Sequence, residues 1–418
     1  MEKVVVYGGR RLRGSIEISG AKNAALPIMA ASLLTKGEVV LHNPPRLGDV
    51  QVMAGLIRSI GGKIEFKNNT MRLKADKLRV QTLSDNSLVS QIRYSTHLLG
   101  ALLPQFKEVK IPLPGGCKIG TRKLTSHILG LTKLGAKVKV ENGYIKASAS
   151  ELQGCHITLE YPSVGATENI MIAACLAIGN TTIENVAKEP ETTDLANFLN
   201  SIGGEISGAG TDVIKIKGVN ELCGTEYRII PDRIETGTYM VAAAITQGDF
   251  LIKNANIGLL DSVVSKLREV GVKIEEVNKG LHVTSSDKFY PTDIVTEVYP
   301  GFPTDMQPIV TPLLSITGGE STVKETIFDN RFNHVPELIK MGADIKVNGN
   351  TLLISGVDHL EGAEVEALDI RSGGSLIVAG LIAKGKTTIH GADQILRGYE
   401  KPLEKLRNVS AELYSIDY

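Results

Sequence analysis

The stretch Leu56-Ile57-Arg58-Ser59-Ile60-Gly61-Gly62-Lys63-Ile64-Glu65-Phe66 reads as a helix end, a glycine stop and the start of a strand. Glycine takes the left-handed conformation that closes a helix at little steric cost. The alternation Lys63-Ile64-Glu65-Phe66 is period-two patterning with one wet face. The same arrangement returns as Leu131-Thr132-Lys133-Leu134-Gly135, Phe198-Leu199-Asn200-Ser201-Ile202-Gly203 and Leu267-Arg268-Glu269-Val270-Gly271. It comes again as Leu338-Ile339-Lys340-Met341-Gly342 and Leu406-Arg407-Asn408-Val409-Ser410. The anchors 61, 135, 203, 271, 342 and 410 lie 74, 68, 68, 71 and 68 residues apart. Six units in register define an internal repeat. The last unit has Ser where the others have Gly, which predicts a differently built helix end.

Each unit also carries an earlier segment that is nearly all apolar: 24–34, 98–103, 170–178, 240–245, 309–314 and 376–382. A helix apolar on every side is a buried one. Strands alternating with helices place the chain in the α/β (α+β) class.

Composition narrows the function. The 418 residues are enough for two or three domains. Lys plus Arg and Asp plus Glu are 46 each, so the formal net charge is 0, without the basic excess of a nucleic-acid binder. No apolar run approaches the roughly 18 residues of a membrane span, and no signal peptide is evident. Four scattered cysteines without a CxxC pair, and eight histidines without ligand spacing, point to no metal, no disulfide and a reducing cytoplasm. No GxGxxG or GxxxxGK[ST] loop is present, so nucleotide hydrolysis and hydride transfer lose their main support.

Polar residues stand at the front of the buried helices: Lys22-Asn23, Arg93, Thr167-Glu168, Glu235-Thr236, Thr304-Asp305 and Arg371. Capping suits Thr304, Asp305 and Thr236. It does not suit Lys22, Arg93 or Arg371, because cations oppose the positive end of a helix dipole. An anionic ligand between those cations and the open N–H groups would account for them. The loop Pro112-Leu113-Pro114-Gly115-Gly116-Cys117-Lys118-Ile119-Gly120-Thr121-Arg122 sets a thiol among cations, which lowers its pKa and favours reactivity. Cys175, inside an apolar helix, reads as inert.

The chain resembles the enolpyruvyl transferases with an EPSP synthase-like fold, in particular those acting on UDP-N-acetylglucosamine. The resemblance covers essentially the whole chain. It rests on Gly20-Ala21-Lys22-Asn23-Ala24, Pro114-Gly115-Gly116-Cys117, Pro162-Ser163-Val164-Gly165-Ala166-Thr167-Glu168-Asn169 and Phe302-Pro303-Thr304-Asp305-Met306-Gln307. Glu325-Thr326-Ile327-Phe328-Asp329-Asn330-Arg331-Phe332 and Arg397-Gly398-Tyr399-Glu400 complete it. The resemblance implies a two-domain inside-out α/β barrel built from six βαβαββ repeats, with the active site in the cleft. It implies one domain of residues 22–228, carrying Cys117, and one of 1–21 plus 229–418, carrying Asp305 and Arg397. The implied reaction moves the enolpyruvyl group of phosphoenolpyruvate to the 3-hydroxyl of UDP-N-acetylglucosamine and releases phosphate. That is the first committed step of cytoplasmic peptidoglycan synthesis, and it needs no cofactor.

Matched positions carry implied roles. Cys117 is the proton donor and the residue that fosfomycin alkylates. Lys22, Asn23, Arg122 and Arg397 hold phosphoenolpyruvate, with Lys22 and Arg397 also counted as catalytic. Asp305 acts at the sugar hydroxyl as base or orienter. Asn23, Arg93, Ser163, Val164, Gly165, Asp305, Ile327, Arg331 and Arg371 hold the UDP-sugar.

Two stretches depart from the family pattern. Lys123-Leu124-Thr125-Ser126 stands where Pro-Val-Asp-Leu or Pro-Ile-Asp usually follows, and the carboxylate that contacts uracil is missing. Tyr94-Ser95-Thr96-His97 replaces small and aliphatic residues. Enolpyruvyl transfer to another nucleotide is therefore the competing expectation, and a non-catalytic sugar-nucleotide binder is a second.

Overall fold

The computed structural model describes residues 3–80, 83, 87–115, 124–278, 280–286, 288–329 and 331–416. They form two compact units, one of 3–19 with 231–416 and one of 20–115 with 124–230. Each unit repeats one small design three times.

In the unit 20–230, the strands Thr225–Arg228, Glu38–His42, Thr70–Lys74 and Lys63–Lys67 lie side by side in that order. The first pair is parallel and the rest antiparallel. His156–Thr158, Asn180–Glu184, Val213–Lys217 and Glu205–Ser207 repeat the arrangement. Glu108–Pro112, Tyr144–Ser148 and Lys137–Glu141 repeat its antiparallel part. The other unit shows the same order in Arg13–Glu17, Asp249–Lys253, Gly280–Ser285 and Val272–Val277. Ile294–Val295, Glu320–Lys324, Thr351–Ser355 and Asp344–Asn348 follow it again.

Two strands are exchanged. Arg13–Glu17 leads along the chain into the helix Lys22–Ala31 of the unit 20–230, yet it pairs with Asp249–Lys253 of its own unit. Thr225–Arg228 leads into the helix Arg233–Ile245, yet it pairs with Glu38–His42. The sixth sheet runs Glu364–Glu366, Lys386–His390, Lys3–Tyr7, Glu412–Ile416. Here the N-terminal strand fills the place that a hairpin strand takes elsewhere, so the chain's start completes its last repeat.

The apolar segments form the helices Lys22–Ala31, His97–Phe106 and Val164–Ala174 in one unit, and Arg233–Ile245, Gln307–Leu314 and Ile370–Gly380 in the other. The three in each unit pack on one another. Their residues are nearly all buried, whereas strands such as Thr70–Lys74 alternate buried and exposed positions. Helices therefore lie inside and sheets outside.

Amphipathic helices end at the anchors. Gly61, Gly135, Gly203, Gly271 and Gly342 have φ between +91° and +108°. Ser410 does not end its helix differently, because it adopts φ +74°. Its N–H bonds Arg407 O at 2.9 Å and the next N–H bonds Leu406 O at 3.1 Å, the pair that Gly61 and Gly62 make to Arg58 and Ile57. Two capped carbonyls offset a left-handed cost of about 1–2 kcal/mol.

At Gly342 an added methyl meets nothing within 4 Å, so Gly342→Ala is expected to cost about 1 kcal/mol from φ alone. At Gly61 the methyl would lie 2.5 Å from Lys77 O, so Gly61→Ala is expected to cost more. Urea midpoints compare them, and equal losses would mean that the close contact is absorbed.

Candidate active site

In the unit 20–230, Lys22 opens its inner helix and is buried, with Nζ 3.5 Å from Asp49 Oδ2. Asn23 follows it, half-buried. Arg93 begins the turn Arg93–Thr96 ahead of the helix His97–Phe106 and is also half-buried. Ser163 caps the helix Val164–Ala174 by accepting the Ala166 N–H at 3.4 Å, which leaves Val164 and Gly165 in the first turn.

Behind that turn lies a buried polar network. His97 Nε2 is 2.9 Å from Glu168 Oε2, and His97 Nδ1 is 3.2 Å from Tyr94 O. Burial raises the Glu168 carboxyl, against the lowering pull of His97. His127 packs edge-on to His97, and burial foremost, then His97 and Arg93, holds its pKa down to about 3.

In the other unit Asp305 joins two cations. Its Oδ1 accepts from Arg331 and its Oδ2 accepts from Arg371 at 2.8 Å. Both guanidinium side chains are almost wholly buried, while that of Asp305 is 25% exposed. Burial works against the Arg371 charge, but Asp305, aided by Tyr399 and Asp232, outweighs it and raises the pKa. Arg371 also lies over the Tyr399 ring at 5.5 Å, and Arg331 over Phe328 at 5.7 Å. Ile327 is set by Glu325, whose Oε1 accepts the Ile327 and Phe328 N–H groups at 2.8 and 3.1 Å. The same carboxylate takes the hydroxyls of Thr296 and Thr304, both at 2.9 Å. Arg397 is half-buried and bonds Gln394 Oε1 at 3.0 Å.

Several sequence expectations change. Thr304, Asp305 and Thr236 cap no helix: Thr304 donates to Glu325, Asp305 pairs with arginines, and Asp232 caps the helix that contains Thr236. The cations Lys22 and Arg371 face protein carboxylates, Asp49 and Asp305, so the protein itself supplies negative charge beside them. Cys117 and Arg122, with the departing Lys123, lie outside the described residues. Of the other thiols, burial pushes Cys175 up to about 12 and raises Cys155, while Cys223 donates to Ile202 O at 3.2 Å.

Sequence reasoning missed Asp49, Glu325 and His127. Glu325 sat inside a recognised motif and His127 just after a departure from one, but their side-chain partners Thr304, Thr296 and Asn169 lie 21 to 42 residues away, and one sequence does not reveal such pairings. Among the described residues no group of three or more His, Cys, Asp or Glu is placed to hold a metal ion. No described helix is long and apolar enough to cross a membrane.

Inner helices under outer sheets, repeated three times in each unit, are the fold of solved enolpyruvyl transferases. The solved enolpyruvyl transferase NikO from Streptomyces tendae superposes with a TM-score of 0.89 at 22% identity, covering 99% of each chain. The sequence model of the family EPSP synthase (3-phosphoshikimate 1-carboxyvinyltransferase) matches residues 6–406. The UDP-N-acetylglucosamine 1-carboxyvinyltransferase 1 of Caldanaerobacter subterraneus subsp. tengcongensis is 49% identical over 412 residues, 99% of both chains. The UDP-N-acetylglucosamine 1-carboxyvinyltransferase of Halothermothrix orenii is 46% identical over 416 residues, all of both chains. The chain thus belongs to the EPSP synthase family, in its UDP-N-acetylglucosamine 1-carboxyvinyltransferase branch.

Proposed function

We propose that this chain transfers the enolpyruvyl group of phosphoenolpyruvate to the 3-hydroxyl of UDP-N-acetylglucosamine, releasing phosphate, as the first committed step of peptidoglycan synthesis. The observation that carries this is identity of 46–49% along the whole chain to proteins named for that transfer.

The sugar oxygen adds to C2 of phosphoenolpyruvate, and the hydroxyl proton passes to Asp305. Cys117 delivers a proton to C3, giving a tetrahedral adduct. Loss of a C3 proton and of phosphate restores the double bond. Lys22, Arg122 and Arg397 offset the charge on the phosphate and carboxylate. Arg331 and Arg371 hold Asp305 in place, and Ser163, Val164, Gly165, Asn23, Arg93 and Ile327 hold the sugar nucleotide.

Phosphate release from phosphoenolpyruvate tests the reading, with UDP-N-acetylglucosamine beside UMP and UDP-glucose as acceptors. Turnover with the acetylated sugar nucleotide alone is expected. Turnover with another acceptor would make residues 123–126 a specificity switch, and silence with all three would sink the enzymatic reading. Fosfomycin is expected to add once, at Cys117. Intact mass of treated protein should show one adduct, lost in Cys117→Ser; labelling that persists would move the reactive thiol elsewhere.

A further inference from the structure

Glu325 follows the strand Glu320–Lys324 and is only 2% exposed. Its backbone is fixed from behind, where its N–H donates to Asn350 O and its carbonyl accepts from the Asn350 amide, both at 2.8 Å. A buried carboxylate is costly unless its lone pairs are taken up. Here four neutral donors do so: the hydroxyls of Thr296 and Thr304, and the N–H groups of Ile327 and Phe328. A carboxylate offers about four acceptor sites, so the side chain is filled.

Three of those donors sit on the two segments that build the Asp305 ion pair. Oε2 takes the hydroxyl of Thr304, the residue directly before Asp305. Oε1 takes the two N–H groups of the turn at 327–328. The Phe328 ring of that turn lies under the Arg331 guanidinium, and Arg331 donates to Asp305 Oδ1. The other partner, Arg371, is placed separately, by a helix start that Asp369 caps. Arg331 lies in irregular chain, so its position depends on how the turn before it is held.

We infer that Glu325 is a positioning residue for the reaction. With one oxygen on Thr304 and the other on the turn at 327–328, it fixes where the Asp305 carboxylate stands relative to Arg331 and the sugar hydroxyl. This rests on the proposed function above, because it acts through the role given to Asp305.

Fold stability alone would also reward these bonds, and Thr296 separates the two explanations. Its hydroxyl reaches the same carboxylate at the same 2.9 Å, and it accepts the Thr326 N–H as well, yet its chain neighbours Val295 and Glu297 carry no part of the site. Losing either hydroxyl costs a buried hydrogen bond. Only the loss at Thr304 frees the residue that carries the base.

The test is steady-state kinetics with urea unfolding on Thr304→Val, Thr304→Ser, Thr296→Val, Asp305→Asn and the double variant of Thr304→Val with Asp305→Asn. Both single valine variants should lower the urea midpoint. Thr304→Val should lower kcat about tenfold, as displacement of a reacting group does, with KM for phosphoenolpyruvate within about twofold of wild type. Thr296→Val should keep kcat within about twofold, and Thr304→Ser, which retains the hydroxyl, should recover most of the loss. On top of Asp305→Asn, Thr304→Val should lower kcat by less than about twofold more, because the two act as a unit. Equal kcat losses in the two valine variants would make Glu325 a fastener of the fold only and overturn the inference. So would an unchanged kcat in Thr304→Val despite a lowered urea midpoint, or a full tenfold further loss in the double variant. Wild-type protein that releases no phosphate from phosphoenolpyruvate and UDP-N-acetylglucosamine would instead overturn the functional reading itself.

Discussion

Asp305→Asn is expected to lower kcat about 10³-fold while raising KM for the sugar nucleotide less than tenfold, within the usual range for loss of a general base. Both carboxylate oxygens already accept from arginines, Oδ1 from Arg331 and Oδ2 from Arg371. A carboxylate oxygen carries two lone pairs, so accepting from an arginine does not by itself preclude receiving a hydroxyl proton. Asparagine preserves the shape but neither the charge nor the basicity. If Asp305 only orients the hydroxyl, the amide oxygen should do nearly as well, and kcat should fall less than tenfold. Steady-state kinetics, varying each substrate with the other saturating, separates the two roles.

Asp305→Ala should add a stability loss that Asp305→Asn largely avoids. It strands two buried guanidiniums, one of which, Arg331, already has an Nε with no partner among the described residues. Removing one partner of a buried ion pair costs about 3–5 kcal/mol, and the partial exposure of Asp305 puts this case at the lower end.

The repeat was readable because its signal is local. A residue forced to positive φ after an amphipathic helix tends to be glycine, and five of six anchors are. Ser410 shows the limit, since the hydrogen bonds that define the helix end are invisible in the residue type. The inner helices were readable for a similar reason, because a helix apolar on every side is stable only where no face meets water. The strand exchange was not. Arg13–Glu17 reads Arg-Gly-Ser-Ile-Glu, too short and too polar to announce a partner more than 230 residues away.

The site followed the same division. Lys22, Arg93 and Arg371 stood out as cations at odds with their place at the front of a helix. The pairings of Lys22 and Arg371 did not, because Asp49 is an ordinary charge and Asp305 reads as a cap until the fold brings each within 4 Å of its cation. The histidines illustrate this well. Searched for ligand spacing they say nothing, yet His127 is set among Asn169, His97 and Gly165, none of which is near it in sequence.

Distant partners also set the second large effect, a stability that falls as pH rises. Asp194, in the helix Pro190–Ser201, accepts the Tyr227 hydroxyl at 2.6 Å on Oδ1 and the Ile230 N–H at 3.3 Å on Oδ2. It thereby holds the last residues of the unit before the chain leaves at Pro231. Burial outweighs those two donors and raises its pKa from 3.8 to about 6, with Glu191 adding to the rise. The folded state therefore binds more protons than the unfolded chain between those values. This contribution to stability is complete below about pH 4 and is lost as pH climbs through 6. A shift of that size corresponds to about 3 kcal/mol.

Glu235, raised to about 7 by burial against the pull of Lys405, works in the same direction, so the wild-type curve alone does not isolate Asp194. The difference between wild type and Asp194→Asn does. Asparagine keeps an acceptor for Tyr227 and cannot ionise, so its penalty should be greatest near pH 4 and smaller by about 3 kcal/mol near pH 7. Urea unfolding of both proteins at half-unit steps of pH measures that difference. A penalty constant across the range would show that Asp194 titrates alike in the folded and unfolded chain, with Tyr227 and Ile230 fully offsetting the cost of burial.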